Sequence, residues 1–114
     1  MAENLKASHY RNGSPIPGNL SDSSWTNDTI GAQADYNNDV ANTAIYGKLY
    51  NWYAVADPAG LCPTGWHVPS DAEWTTLEDS LGGRQVAGTK MKSLPIRYWQ
   101  CPNEFSTNSS GFSG

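Results

Sequence analysis

The chain has 114 residues, of which 38% are hydrophobic, 11% are aromatic and only 16% are charged. Coiled coils and helical bundles are rich in charged residues, Leu and Ala, and disordered chains lack aromatic residues, so both classes are excluded. A membrane-spanning helix is excluded as well, because no apolar run approaches about 20 residues. The composition predicts a loop-rich domain with an aromatic core, of the kind common outside the cell.

The charge balance is acidic, since seven Lys and Arg face 11 Asp and Glu, for a formal net charge of -4. The basic residues are scattered from Lys6 to Arg97 and form no patch for phosphates or anionic lipids. We therefore expect no nucleic-acid partner and no membrane span. The first residues, MAENLK, lack a basic segment followed by an apolar one, so no signal peptide is expected in this chain.

The first 44 residues are mostly polar and rich in turn signals. A short strand is predicted over residues 5–10, followed by a turn at Asn12-Gly13. A long loop rich in Asn, Asp and Ser is predicted over residues 21–42, anchored by a few aromatic and aliphatic side chains such as Trp25. Loops of this length are usually functional or belong to a loop-rich fold.

Two helices are predicted in the middle of the chain. Residues 45–56 place apolar side chains at the spacing of one helical face. A second helix is predicted over residues 70–81, because Ser70 and Glu73 have the spacing of a capping box and Gly82-Gly83 can end the helix. Residues 86–91 then predict a strand, and the tail from residue 106 is rich in Ser, Gly and Asn.

One possible site is a pair of catalytic carboxylates, Asp71 and Glu73, since glycosidases use two such groups. Acidic residues in the first turn of a helix also complement its dipole, and this structural role is the favoured explanation of both residues. His9 and His67 are the two histidines, but neither has the spacing of a metal-binding motif. The sequence therefore predicts no metal site and no cofactor.

The two cysteines, Cys62 and Cys101, are too isolated to indicate a zinc site. Each precedes a proline, which favours extended or turn backbone. Their number permits a disulfide but does not establish one. The cluster Asn37-Asn38-Asp39 offers oxygen ligands without the spacing of an EF-hand, so a solvated loop is the simpler interpretation.

A ligand-binding set is predicted near the C-terminal end of the chain. Aromatic rings stack on the apolar faces of sugars, while neighbouring polar side chains bind the sugar hydroxyls. A buried structural role remains the alternative for Trp99. The predicted set comprises Tyr98, Trp99, Asn103 and Glu104.

Two longer motifs carry a family resemblance. The segments YGKLYNWYAV (residues 46–55) and GLCPTGWHVPSDAEW (residues 60–74), with the opening MAENLK, closely resemble the Fibrobacter succinogenes major paralogous domain. The end of the second segment is similar to formylglycine-generating-type domains. The resemblance thereby implies a place in the C-type-lectin-like superfamily and an extracellular or cell-surface bacterial location. The copper-binding cysteine pair of the formylglycine-generating relatives has no match here, so their activity is not expected.

Compared with that family, the chain starts late and stops early, which implies a single domain over residues 1–114 truncated at both ends. The fold class expected is α+β, an incomplete C-type-lectin-like fold with two helices, short antiparallel strands and long loops. Exposed strand edges and apolar faces would then need a cover, so we expect a homo-oligomer. In the family the usual partner of Cys62 lies in the missing half, so Cys62 and Cys101 are candidates to pair with each other.

The leading functional hypothesis is a binding module for carbohydrate or protein ligands without catalytic activity. The alternative is a small hydrolase of glycans or esters that uses Glu73 and Asp71 with His67 or His9. A purely structural role is the third hypothesis.

Overall fold

The computed structural model of the chain describes residues 3–92 and 106–112. These residues form five α-helices and one two-stranded antiparallel sheet, which confirms the α+β class with more helices than the two predicted. They divide into two compact units. We call Asn4–Val68 the sheet unit, and we call the described residues from Pro69 onward, with Glu3, the helical unit. The single domain over residues 1–114 stays a prediction.

In chain order the elements are α1 (Asp22–Asn27), β1 (Gln33–Asp35), two 3-10 turns (Tyr36–Asn38 and Val40–Asn42), α2 (Thr43–Tyr46), β2 (Lys48–Tyr50), α3 (Trp52–Ala56), α4 (Asp71–Ser80) and α5 (Arg84–Met91). Several of these short elements occupy the segment predicted to be one long loop. None of the helices in the described part of the chain is both long enough and apolar enough to cross a membrane.

The strand predicted over residues 5–10 is reduced to one isolated antiparallel bridge between His9 and Pro15. Proline has no backbone N–H to donate, so Pro15 cannot extend a ladder of hydrogen bonds. The turn at Asn12-Gly13 is confirmed: Asn12 Oδ1 accepts the Ser14 N–H at 2.9 Å, and Gly13 adopts a φ of 89°.

The continuous helix predicted over residues 45–56 is wrong. The chain forms α2, reverses at Gly47 with a φ of 71°, continues as β2 and begins α3 after Asn51. A Cβ atom at Gly47 would lie 2.7 Å from the Asn4 Cβ and 2.8 Å from the Leu5 carbonyl oxygen. Contacts with the distant N-terminal segment thus override the helical spacing of the apolar residues.

The strands pair so that Gln33 lies opposite Tyr50 and Ala34 lies opposite Leu49. Because side chains alternate along a strand, the first pair faces one side of the sheet and the second pair faces the other. The first side packs toward the core: Gln33 is buried, and its Nε2 donates to the Ile16 carbonyl at 2.9 Å. The second side, with Leu49, remains exposed.

Asn51 connects the sheet to α3. Its Oδ1 accepts hydrogen bonds from the Ala54 N–H at 2.9 Å and from the Ala32 N–H at 3.0 Å. Its Nδ2 donates to the Ile30 carbonyl at 2.9 Å. One side chain therefore caps the N-terminus of α3 and holds the segment leading into β1.

The core of the sheet unit is small. Its buried cluster consists of Tyr10, Ile16, Ala54 and Leu61. Tyr50 packs against this cluster and donates its hydroxyl to the Ala7 carbonyl at 2.8 Å. Burial raises the pKa of Tyr50 to about 12, so the hydroxyl remains a donor at physiological pH.

The predicted aromatic core is wrong for the tryptophans that the structure describes. None of them is buried, and Trp52 is 72% exposed. Trp25 and Trp52 lie on helices of six and five residues, which leave little covering structure for an indole ring. The tryptophans concerned are Trp25, Trp52, Trp66 and Trp74.

The helix predicted over residues 70–81 is confirmed as α4. The Ser70 N–H donates to Glu73 Oε2 at 2.8 Å, and the Glu73 N–H donates to Ser70 Oγ at 3.4 Å, which completes the capping box. After the helix, Gly83 has a φ of 95° and donates its N–H to the Glu78 carbonyl at 2.9 Å. The capping box therefore begins α4 and the glycine pair ends it, as the sequence predicts.

The strand predicted over residues 86–91 is wrong, because this segment lies within α5. Lys90 Nζ donates to the Leu81 carbonyl at 2.7 Å and so ties α5 to the end of α4. The last carbonyls of α5 accept from the tail: Thr107 N–H donates to Thr89 at 2.8 Å and Ser110 N–H donates to Lys90 at 3.1 Å. These contacts supply the partners that a helix end needs.

Two glycine-to-alanine substitutions should have opposite effects. A Cβ atom at Gly31 would meet the Tyr10 hydroxyl and lie 2.9 Å from the Ala54 Cα, so Gly31→Ala should lower the free energy of unfolding by about 1–3 kcal/mol. Gly88 lies in α5 with nothing within 4 Å, so Gly88→Ala should raise it by about 0.5–1 kcal/mol. Urea unfolding of both variants measures the difference, and equal stabilities would contradict the packing at Gly31.

Removing the helix cap should weaken α4. Ser70→Ala deletes the hydroxyl that accepts the Glu73 N–H, so the free energy of unfolding should fall by about 1 kcal/mol. Ser70→Thr keeps a hydroxyl at the same atom and serves as the matched control. Chemical denaturation followed by circular dichroism checks the prediction, and a loss of similar size in the threonine variant would refute it.

Candidate functional site

The sheet unit contains an open cleft of about 200 Å³ on the exposed side of its sheet. Ala34 and Leu49 form part of its lining, and they face each other across β1 and β2. The small side chain of Ala34 leaves room above the sheet, while Leu49 supplies an apolar wall. The remaining lining residues are Leu20, Asp22, Trp25, Asp35, Asn37 and Asn38.

Trp25 provides the aromatic surface of the cleft. It lies on α1, a helix of six residues whose N-cap Ser21 accepts the Ser24 N–H at 3.2 Å. The Trp25 side chain is half-buried, so part of its indole ring remains accessible. The hydrogen bond at Ser21 fixes the start of α1, the helix that carries Trp25.

Asn37 and Asn38 contribute the polar rim. Both adopt left-handed backbone conformations, with φ values of 56° and 54°, which asparagine tolerates better than most residues. Their side-chain amides form no hydrogen bond with the described part of the chain, and both residues are exposed. Each amide offers two N–H donors and one carbonyl acceptor, so the rim presents unused hydrogen-bonding groups.

Asp35 carries a negative charge that is balanced within the protein. The Thr43 hydroxyl donates to its Oδ1, and Lys48 Nζ lies 2.9 Å from the same oxygen. The side chains of Lys48 and Asp35 are only 15% and 14% exposed. The hydrogen bond from Thr43, followed by that from Lys48, lowers the pKa of Asp35, so this carboxylate stays ionised at neutral pH.

Asp22 lies in the first turn of α1, three residues before Trp25. Residues three apart on a helix lie on the same face, and both line the cleft. The Asp22 carboxylate has no ion pair or hydrogen bond with the residues that the structure describes. It is therefore a solvated negative charge beside the indole.

The ligand-binding set predicted from the sequence lies outside the described residues, so its arrangement stays a prediction. This holds for Tyr98, Trp99, Asn103 and Glu104.

The residues of the hydrolase hypothesis fall in different units. Glu73 Oε2 accepts hydrogen bonds from the Ser70 N–H and hydroxyl, each at 2.8 Å, so it serves the start of α4. Asp71 is exposed in the same first turn. His67 belongs to the sheet unit. Within residues 3–92 and 106–112, no group of three His, Cys, Asp or Glu side chains is placed to hold a metal ion.

Cys62 is half-buried in the structure. Its backbone carbonyl accepts a hydrogen bond from Arg11 Nε at 2.9 Å. Cys101 lies outside the described residues, so the disulfide with Cys62 stays a prediction.

Sequence reasoning did not identify the cleft, although one signal pointed to it. The long polar segment over residues 21–42 has the length of a functional loop and contains Trp25. What the sequence does not reveal is that this segment contains β1, which brings Ala34 opposite Leu49.

Comparison with known protein families identifies a family for the chain. The model of the Fibrobacter succinogenes major domain matches residues 1–114. No curated protein and no solved structure matches the chain significantly. Since the match extends over all 114 residues, the chain belongs to the Fibrobacter succinogenes major domain family.

Proposed function

We propose that this domain is a non-catalytic binding module whose cleft binds carbohydrate. One observation carries the proposal: the cleft combines the accessible indole of Trp25 with the amides of Asn37 and Asn38, which form no hydrogen bond with the described residues. An aromatic ring binds the apolar C–H face of a sugar, and amides can both donate to and accept from its hydroxyls. An open cleft suits a chain of sugars that extends beyond the site.

The Asp35 carboxylate of the cleft is poorly suited to act as a catalytic acid. A glycosidase needs one carboxyl group that remains protonated near neutral pH, which requires a raised pKa. The hydrogen bonds from Thr43 and Lys48 lower the pKa of Asp35 instead. Asp35 is therefore not a candidate for the general acid of a glycosidase.

The proposal extends to location and superfamily. The low fraction of charged residues and membership of this family support a secreted or cell-surface domain. A C-type-lectin-like fold would agree with the α+β class and with a loop-built cleft. Both statements are part of the proposal.

Replacing the indole should weaken sugar binding. Trp25→Ala removes the stacking surface, so affinity for neutral β-1,4-linked hexasaccharides such as cellohexaose, mannohexaose and xylohexaose should fall at least about tenfold. Trp52→Ala is the control, because Trp52 is an exposed tryptophan of the same unit that does not line the cleft. Isothermal titration calorimetry measures the affinities. Equal losses in the two variants, or no binding of any hexasaccharide, would refute the proposal.

We also propose that a second copy of the chain is a partner of the sheet unit. An apolar patch is formed by Tyr36, Val40, Ile45 and Tyr46, whose side chains are 41% to 74% exposed. The Tyr36 and Tyr46 ring centroids are 5.4 Å apart, so the two ends of the patch meet.

The low charge of residues 36–46, which contain the apolar patch, favours a second copy of the chain as the partner that covers the patch. Residues 36–46 contain one charged residue, Asp39, whose Oδ1 accepts the Ala41 N–H at 2.9 Å. In a two-fold symmetric dimer the same surface meets itself, so a strongly charged patch would repel its copy. This patch carries almost no such repulsion, and apolar side chains gain free energy when they are covered.

A charge introduced into the patch should dissociate the assembly. We expect the wild type to sediment above the monomer mass at micromolar concentration and Ile45→Glu to sediment as a monomer, because a carboxylate would be buried without a partner. Val86→Glu, at an exposed position of the helical unit, is the matched control and should leave the mass unchanged. Analytical ultracentrifugation decides, and a monomeric wild type would refute this proposal.

A further inference from the structure

The cleft has a charge pattern that bears on which sugars it binds. Both charged residues in its lining are carboxylates, Asp22 and Asp35, and none of the described lining residues is a lysine or arginine. Lys48 contacts Asp35 at 2.9 Å and is nearly buried with it, so these two charges balance each other. Among the lining residues that the structure describes, Asp22 is the charge that no ion pair balances.

Asp22 is placed to act on a sugar bound at the indole. It precedes Trp25 by three residues on α1, which puts the two side chains on one face of the helix. Both line the same open cleft. A sugar ring stacked on the indole would therefore present its ring substituents to the Asp22 carboxylate.

The charge of a sugar substituent decides whether its interaction with the Asp22 carboxylate is attractive or repulsive. A sugar carboxylate or sulfate would lie beside Asp22, and none of the lining residues that the structure describes is a cation that could pair with it. The like charges would repel each other, so such sugars are disfavoured. A protonated amine would pair with Asp22 and could also lie against the Trp25 ring. The net charge of -4 acts in the same direction, since it attracts cations and repels anions.

We propose that the cleft selects glycans bearing protonated amino groups, such as glucosamine polymers, over neutral glycans, and that it rejects uronic acids. This inference rests on the proposed carbohydrate-binding function and adds the class of sugar. Asp22 is the specificity-determining residue, and Trp25 supplies the binding that all sugars share.

The test compares three hexasaccharides with one β-1,4 backbone and different charges: the hexamer of glucosamine, cellohexaose and the hexamer of glucuronic acid. Titrations at low salt and about pH 5 keep aspartate carboxylates ionised and sugar amines protonated. We expect the glucosamine hexamer to bind about three- to tenfold more tightly than cellohexaose, and the glucuronic acid hexamer to bind more weakly than both. The preference should shrink in about 1 M salt, which screens exposed charges.

Two variants separate the local charge from the net charge of the protein. Asp22→Asn should lose most of the preference for the glucosamine hexamer over cellohexaose. Asp28→Asn changes the net charge equally at a residue outside the cleft lining, so it should keep the preference. A preference lost equally in both variants would overturn the role of Asp22.

The outcomes also distinguish this inference from the function on which it rests. Wild-type protein that binds all three hexasaccharides with equal affinity would overturn the selection by charge and leave carbohydrate binding intact. Wild-type protein that binds none of them would overturn both. Tighter binding of glucosamine that disappears only in Asp22→Asn would support the inference.

Discussion

The side-chain amide of Asn51 is the contact on which the sheet unit depends. It accepts from Ala32 and Ala54 and donates to Ile30, so it joins the start of α3 to the segment entering β1. This close approach brings Gly31 against the Ala54 backbone. Because Asn51 holds both segments, it favours the observed register of β1 and β2. This register places Ala34 opposite Leu49, and these two residues form the sheet side of the cleft.

The parts of the fold that the sequence predicts are those specified by local signals. Helix α4 begins at a reciprocal hydrogen bond between Ser70 and Glu73, which are three residues apart, and ends at a pair of glycines. The segment over residues 45–56 is different, because its structure is decided by contact between Gly47 and the N-terminal segment. No periodicity over 12 residues can reveal a contact made with residues more than 40 positions earlier.

The candidate site also depends on contacts that local sequence signals do not reveal. The sequence predicts a binding set of aromatic and polar side chains within residues 98–104, which lie outside the described residues. The cleft in the described part of the chain is lined instead by Trp25, Asn37 and Asn38. Its location depends on three-residue strands, which are too short to give an alternating pattern. The left-handed conformations of the two asparagines arise where the chain turns from β1 toward α2, and no spacing rule predicts them.

The small core of the sheet unit has a thermodynamic consequence. One tyrosine and three aliphatic residues form its buried cluster, while side chain–backbone hydrogen bonds such as those of Asn51 and Arg11 join its segments. Exposure of apolar surface is what makes the heat capacity rise on unfolding, so this unit has a small heat capacity change for its length. Its stability curve is therefore shallow, and cooling weakens it less than it weakens a domain of equal length with a large apolar core.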